Sequence, residues 1–360
     1  VCIDVSGKPE EFEESKTYTE SEISKIDKSE LISILKNSGC WPYLRQRPFS
    51  KIANPEDNPK AIFISGFNSA PHSLDYETIL NENSEGLQAG VNALNQLTDG
   101  SVHFSLNGKQ QNAVLNNLNN VKAHNFTGPH PAGNIGIQIH HIDPINVGEV
   151  VWYIDLQDVM AIGSQLTTGK FSTDKFISIS GEGLDNPTYA KVKRGVTFQS
   201  ALYNNLKDGN YRIISGDVLS GKKVEIENGL GFYHNQISVI PEGGDREFIG
   251  WLKPGKNKYT NSNTYISKFL PKKEWSLNTL NNGDPRAIVP FGSWERVLPM
   301  DIHPNYLIRS IIAKDIEEME DLGIYECDEE DFALCSFACQ SKFPVHEIIR
   351  DGLNYIEEEG

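Results

Sequence analysis

Three cysteines near the end of the chain, Cys327, Cys335 and Cys339, have types and spacing that could do chemistry. Thiolates near a helix ligate zinc or an iron–sulfur cluster. A four-iron cluster takes four thiolates, three of them close together, as in C-x2-C-x2-C-x3-C. Only the Cys335–Cys339 interval has that spacing, and Gln340 stands where the pattern has proline. The plainer reading puts Cys335 and Cys339, at i and i+4, on one buried helix face. A neighbouring subunit could still supply missing ligands. A second candidate is His130-Pro131-Ala132-Gly133-Asn134-Ile135-Gly136, followed by His140 and His141. Its glycines would let a backbone come close to a ligand. It lacks the G-x-G-x-x-G spacing of a dinucleotide site. On consecutive strand positions His140 and His141 would face opposite sides and share no metal. The third candidate is Arg45-Gln46-Arg47-Pro48-Phe49-Ser50-Lys51. Three cations beside an aromatic suit an anion or a polar aromatic headgroup. The plainer reading is loop packing with solvated cations. No G-x-S-x-G, H-E-x-x-H or Walker lysine is present.

The elements that must position these residues read as follows. Residues 1–24 are charged and read as a linker, with Val1–Val5 the tail of a strand whose start is missing. Leu31, Ile34 and Leu35 share a helix face, and Cys40 to Lys51 form a loop with two prolines. Ala61–Ser65, Val102–Leu106, Val121–Phe126, Ile135–Ile142 and Val150–Ile154 read as strands. Glu77–Leu97, Gln110–Leu118 and Asp155–Leu166 read as helices. Strands alternating with helices imply a parallel sheet with helices on both faces, over residues 25–170. Phe176–Ser180, Tyr189–Val192, a short helix capped by Thr197 and running through Leu206, and Tyr211–Ile214 suggest a β-grasp unit. Gln236–Ile240 and Glu247–Leu252 add strands, giving a β-rich domain over 171–298. From Pro299 the pattern is helical, so 299–360 read as a small helical domain.

The 360 residues suit two or three domains. No apolar run approaches the ~18 residues of a membrane span. The formal net charge of −16 is uneven: residues 1–30 sum to −5, residues 315–360 to −13, and the rest to +2. That balance argues against nucleic acid as a partner. Five cysteines, an odd and clustered set, fit a reducing cytoplasm better than a disulfide framework.

These segments together resemble the NqrA family, a subunit of the sodium-translocating NADH:quinone oxidoreductase. The resemblance rests on the Arg45–Lys51 run, Gly128–Gly133, Trp152–Val159, Ile214–Gly221, Pro254–Lys258, Trp294–Ile302 and Asp328–Cys335. It implies an N-terminal domain ahead of Val1. It also implies an architecture similar to the flavin-binding subunit of respiratory complex I. That is a Rossmann-like domain, a β-grasp domain of the soluble-ligand-binding type, and a helical domain resembling a degenerate ferredoxin domain. Relatives that hold FMN use a glycine-rich loop after the first helix, whereas Cys40 to Lys51 contain no glycine. Backbone amides cannot crowd a phosphate there.

The resemblance therefore implies a subunit with no catalytic residue, flavin or metal of its own. It implies a peripheral place on the cytoplasmic face of the bacterial inner membrane, docked to integral membrane subunits. Ubiquinone would be the substrate of the complex, with NAD, FAD or FMN and iron–sulfur centres on other subunits. A quinone slot needs an apolar wall and one or two donors. Arg47, Lys51, His130 and His140 are candidate donors, and Phe49 or Trp41 a stacking face. The −13 end suits basic cytoplasmic loops of membrane partners, with Glu317, Glu318 and Glu320 as candidate contacts. The alternatives are a purely structural scaffold and a flavin or dinucleotide oxidoreductase.

Overall fold

The computed structural model describes residues 15–82, 84–109, 118–244, 247–250, 252–261, 263–271 and 274–360. Two sheets and a helical C-terminal body make up a mixed α/β architecture. The first sheet contains β1 (Arg45–Arg47), β2 (Lys51–Ile52), β3 (Ala61–Gly66), β4 (Ser101–Asn107), β5 (Lys122–Phe126) and β6 (Val151–Asp155). Its order is β2-β1-β6-β3-β4-β5. Strands β6, β3, β4 and β5 run parallel, as alternation of strand and helix requires. The Cys40–Lys51 stretch is not a loop throughout. After a short 3-10 turn it forms the β1–β2 hairpin, which extends the sheet antiparallel to β6 with Arg45 opposite Tyr153.

Side chains of β3 alternate between two cores. Ile62 and Ile64 join the larger one, and Ala61 and Phe63 the smaller. Over the larger core lie α1 (Glu20–Ile23), α2 (Lys28–Asn37), α3 (Tyr76–Glu82), α4 (Leu87–Asn95) and α6 (Leu156–Thr168). Over the smaller lies α5 (Ile135–Ile142), expected as a strand and found as a helix. The expected Glu77–Leu97 helix is broken by Gly86, whose φ is +80°. A Cβ at Gly163 of α6 would sit 1.8 Å from the Gly86 carbonyl oxygen. Only glycine allows that approach of α4 to α6. Residues 15–23 are not a free linker. Thr19 caps α1, Ile23 is buried, and the Tyr18 N–H donates to the Leu166 carbonyl at 2.9 Å. The Val1–Val5 strand and all but the last residue of the Gln110–Leu118 helix lie outside the described residues.

The second sheet has the order β10-β9-β11-β7-β8. It is built from β7 (Asp174–Ser180), β8 (Thr188–Lys193), β9 (Tyr211–Ser215), β10 (Lys222–Val224) and β11 (Gln236–Pro241). The short helix α7 (Phe198–Ala201) covers it, capped by Thr197 as expected but ending at Ala201 and not at Leu206. The expected Glu247–Leu252 strand is not found among its described residues: the Gly250 N–H donates to the Glu247 carbonyl and that of Leu252 to the Ile249 carbonyl, as in turns. The C-terminal body packs α8 (Pro304–Ala313), α9 (Ile316–Asp321), α10 (Glu329–Ala338) and α11 (Val345–Glu359) on one apolar core.

Candidate functional site

The Arg47 side chain leaves the β1–β2 hairpin and enters the C-terminal body, where it is 0% exposed. Its guanidinium donates to Asp331 Oδ2 at 2.9 Å and Glu330 Oε1 at 3.0 Å, and lies 3.4 Å from Asp328 Oδ2. Arg350 of α11 completes the network, donating to Asp328, to Glu329 Oε2 at 2.9 Å and to the Phe49 carbonyl at 2.9 Å. Ser50 donates to Asp328 Oδ2 at 2.5 Å. Phe49 packs on Tyr325 with ring centroids 6.2 Å apart. Lys51 pairs with Glu357 at 2.5 Å. Burial pushes the Asp331 carboxyl up, and the Arg47 charge opposes it. Asp328 is held below the usual carboxylate range, because Arg47 and Arg350 outweigh its burial. The candidate headgroup loop is thus a clasp between the first sheet and the helical body. A Cβ on Gly136 would sit 2.0 Å from Asp331 Oδ2 and 2.6 Å from an Arg47 nitrogen, so α5 also presses on this network.

Trp41 is a core residue. Its indole N–H donates to the Ala53 carbonyl at 2.8 Å, and its ring meets Trp152 edge-on at 5.5 Å. His140 bonds to Glu326 Oε2 through Nδ1 at 2.7 Å and accepts the Asp301 N–H through Nε2 at 3.0 Å. His141 Nε2 is 2.9 Å from the Pro299 carbonyl. On a helix the two rings do not face opposite ways. Their centroids are 5.2 Å apart, and both hold the 299–301 segment. His130 differs. Its Nδ1 lies 3.2 Å from Ser69 Oγ, which accepts the Gly133 N–H at 2.7 Å, while its buried Nε2 has no partner. Burial pushes this imidazole below its ordinary value, against the pull of Asp217.

The thiols sit apart in their contacts. Cys327 donates to the Gly323 carbonyl, Cys335 to that of Trp294, and Cys339 accepts the Phe343 N–H. Burial pushes the Cys335 thiol up to about 12 and Cys327 up as well. Among the described residues no three His, Cys, Asp or Glu gather as a metal-holding group. On α9, Glu317 and Glu318 are exposed, and Glu320 accepts the Tyr325 hydroxyl at 2.6 Å.

A constellation that the spacing did not suggest lies at the carboxyl ends of β3 and β6. The chain leaves β3 toward β4 and β5, then returns to β6 on the other side. Ligands of open α/β sheets sit in the crevice at such a reversal. Here Asp155 caps α6 there, accepting the Gln157 N–H at 2.9 Å. The Tyr76 hydroxyl donates to Asp155, and Asn235, the residue before β11 of the second sheet, donates to it at 2.8 Å. Burial, with the Asp158 carboxylate beside it, pushes Asp155 up to about 6. Ser178 donates to the His72 carbonyl at 2.6 Å and Gln236 to that of Pro71 at 2.9 Å. The second sheet therefore fills the crevice with its own polar side chains. Asp155 and Asn235 are 80 residues apart, and no local spacing links them.

Known proteins of similar sequence place the chain in a family. A family model described as the NqrA second alpha/beta domain matches residues 26–171, and one described as the NQRA C-terminal domain matches 176–225. Over its whole length the chain is 40% identical to the NqrA subunit of the Na(+)-translocating NADH-quinone reductase of Saccharophagus degradans, covering 80% of that protein. The chain belongs to the NqrA family. Members from Yersinia pseudotuberculosis and Vibrio anguillarum are each 38% identical over the whole chain, again across 80% of their length. NqrA relatives are thus subunits of an oxidoreductase complex. Among solved structures, an NAD+-reducing [NiFe]-hydrogenase in the air-oxidized state matches with a TM-score of 0.48 and 11% identity. That match covers 93% of this chain and 63% of the other.

Proposed function

We infer that the chain is a peripheral subunit of a Na+-translocating NADH-quinone reductase. It sits on the cytoplasmic face of the bacterial inner membrane, docked to integral membrane subunits, and ubiquinone is the substrate of the complex. The 40% identity along the whole chain carries this reading. Among the described residues no helix is long and apolar enough to cross a membrane, which fits a peripheral place. The domains in this reading are residues 25–170, 171–298 and 299–360. The chain holds no flavin or cluster of its own, and those centres belong to other subunits. Support comes from the crevice that Tyr76 and Asn235 fill around Asp155, and from the glycine-free Cys40–Lys51 stretch.

Arg47, Phe49, Lys51, His140 and Trp41 all spend their polar or aromatic contacts inside the chain. His130 is the candidate left with an open ring nitrogen. If Ser69 donates to Nδ1, Nε2 carries the proton and can donate to a quinone carbonyl. The Arg47 clasp favours a second reading, a scaffold that takes no ligand. Titration of the purified full-length protein with a short-chain ubiquinone, followed by tryptophan fluorescence, separates the two. Saturable quenching that H130A loses supports the quinone reading. A linear response in both proteins supports the scaffold.

A further inference from the structure

Residues 242–303, between β11 and α8, hold no strand and one 3-10 turn, Ile266–Phe269, among the described residues. They carry nine basic and seven acidic side chains, a sum of +2 in a chain of −16, and the central run 246–291 sums to +5. Large apolar side chains stand in solvent along this stretch. Phe248 is 85% exposed, Leu252 70% and Phe269 80%, and Ile266 is more than half exposed. The backbone that presents them is held in place. Tyr259 packs against Phe337 of α10 at 5.8 Å between centroids. The Ile266 N–H donates to the Pro254 carbonyl at 2.9 Å, and Ser267 donates to that of Lys258 at 2.6 Å. Lys253 and Lys258 both clasp Glu247. Lys268 lies beside the outward Phe269, 5.8 Å from its ring centroid.

We propose that this segment is a membrane-contact surface for anionic phospholipid. Phe248, Leu252 and Phe269 enter the interfacial zone, and Lys256 and Lys268 lie against the lipid phosphates. Outward apolar side chains flanked by lysines are the composition of a surface-lying membrane anchor. The charge decides between occupants. Cytoplasmic loops of integral membrane proteins carry excess Lys and Arg, which repel the +5 central run. The anionic cytoplasmic leaflet attracts it. The −13 end of the chain suits the basic loops instead. The surface rests on the peripheral-subunit reading for the presence of a membrane.

The test is flotation of the purified full chain with phosphatidylglycerol-rich vesicles and with phosphatidylcholine vesicles. The chain is expected to float with the first, to stay behind with the second, and to be released by high salt. Each surface lysine changes partitioning by about fivefold, so K256Q/K268Q lowers it about 25-fold. F248S/F269S removes retention. Both pairs lie in solvent, and unchanged melting curves verify the fold. No retention on anionic vesicles overturns the proposal, as does equal retention on both vesicle types or by both variants. Cross-linking of the segment to an acidic protein without lipid retention also overturns it. Retention by a chain that fails to co-purify with membrane subunits keeps this surface and removes the subunit reading. Co-purification without retention does the reverse.

Discussion

Replacing Arg47 by alanine should unlock the helical body from the first sheet. Three carboxylates lose a cation, but they do not suffer equally. Asp328 keeps Arg350 and Ser50. Glu330, with its side chain 33% exposed, can turn to water. Asp331 is 0% exposed, and its Oδ1 has no partner even with Arg47 present. The cost is therefore that of one stranded buried charge, about 3–5 kcal/mol, not three times that. The stranded carboxyl escapes by taking up a proton. Its folded pKa rises further above the unfolded value, so the R47A penalty is smaller near pH 5 and grows as pH rises toward 8. Adding D331N removes the charge and recovers about 2 kcal/mol or more of the loss. Urea unfolding of the wild type, R47A, D331N and the double variant at both pH values measures each quantity. A penalty below about 1 kcal/mol, the range of a surface pair, would refute the clasp. So would a penalty that ignores both pH and D331N.

Further outcomes follow from the same geometry. G136A drives a methyl group into the Asp331–Arg47 pair, and should cost about 1–3 kcal/mol or more; a melting temperature equal to wild type would contradict that close approach. Asp155 has a raised folded pKa, so its contribution to stability falls as pH rises from the unfolded carboxylate range through about 6. Asn caps a helix as well as Asp, so D155N should flatten the stability profile there, and thermal melts as pH-dependent as those of wild type would contradict the raised value. Cys327 and Cys335, buried with raised pKa values, should resist iodoacetamide at pH 8 until the chain is unfolded. Mass spectrometry showing prompt native alkylation at either site would contradict their burial.

The strands of the first sheet are legible because Ala61–Gly66 and Val151–Asp155 are short apolar runs with turn residues around them. Ile135–Ile142 misleads for a physical reason. Its isoleucines alternate at period two, yet it is a helix buried on two sides. Ile135 and Ile139 face the sheet, while Ile137 faces the helical body. A helix apolar all round loses the 3.6-residue signature. The buried ion pairs of Asp328–Asp331 have no signature in the sequence because their cation is remote: Arg47 and Asp331 are 284 residues apart. The Asp155 crevice was hidden in the same way, since Asn235 arrives just before a strand of another sheet. Local spacing reports the elements, and pairings across elements need the fold. The family resemblance was carried by short blocks in order along the chain, and the identity of 40% agrees with it.

Co-purification from detergent-solubilised membranes tests the central claim most directly. The tagged full-length protein should bring down the integral membrane subunits of a Na+-translocating NADH-quinone reductase at fixed stoichiometry, read by mass spectrometry. Charge reversal at Glu317, Glu318 and Glu320 should weaken that recovery. A chain that elutes alone from such membranes, or that carries a flavin absorbance of its own, would contradict the account.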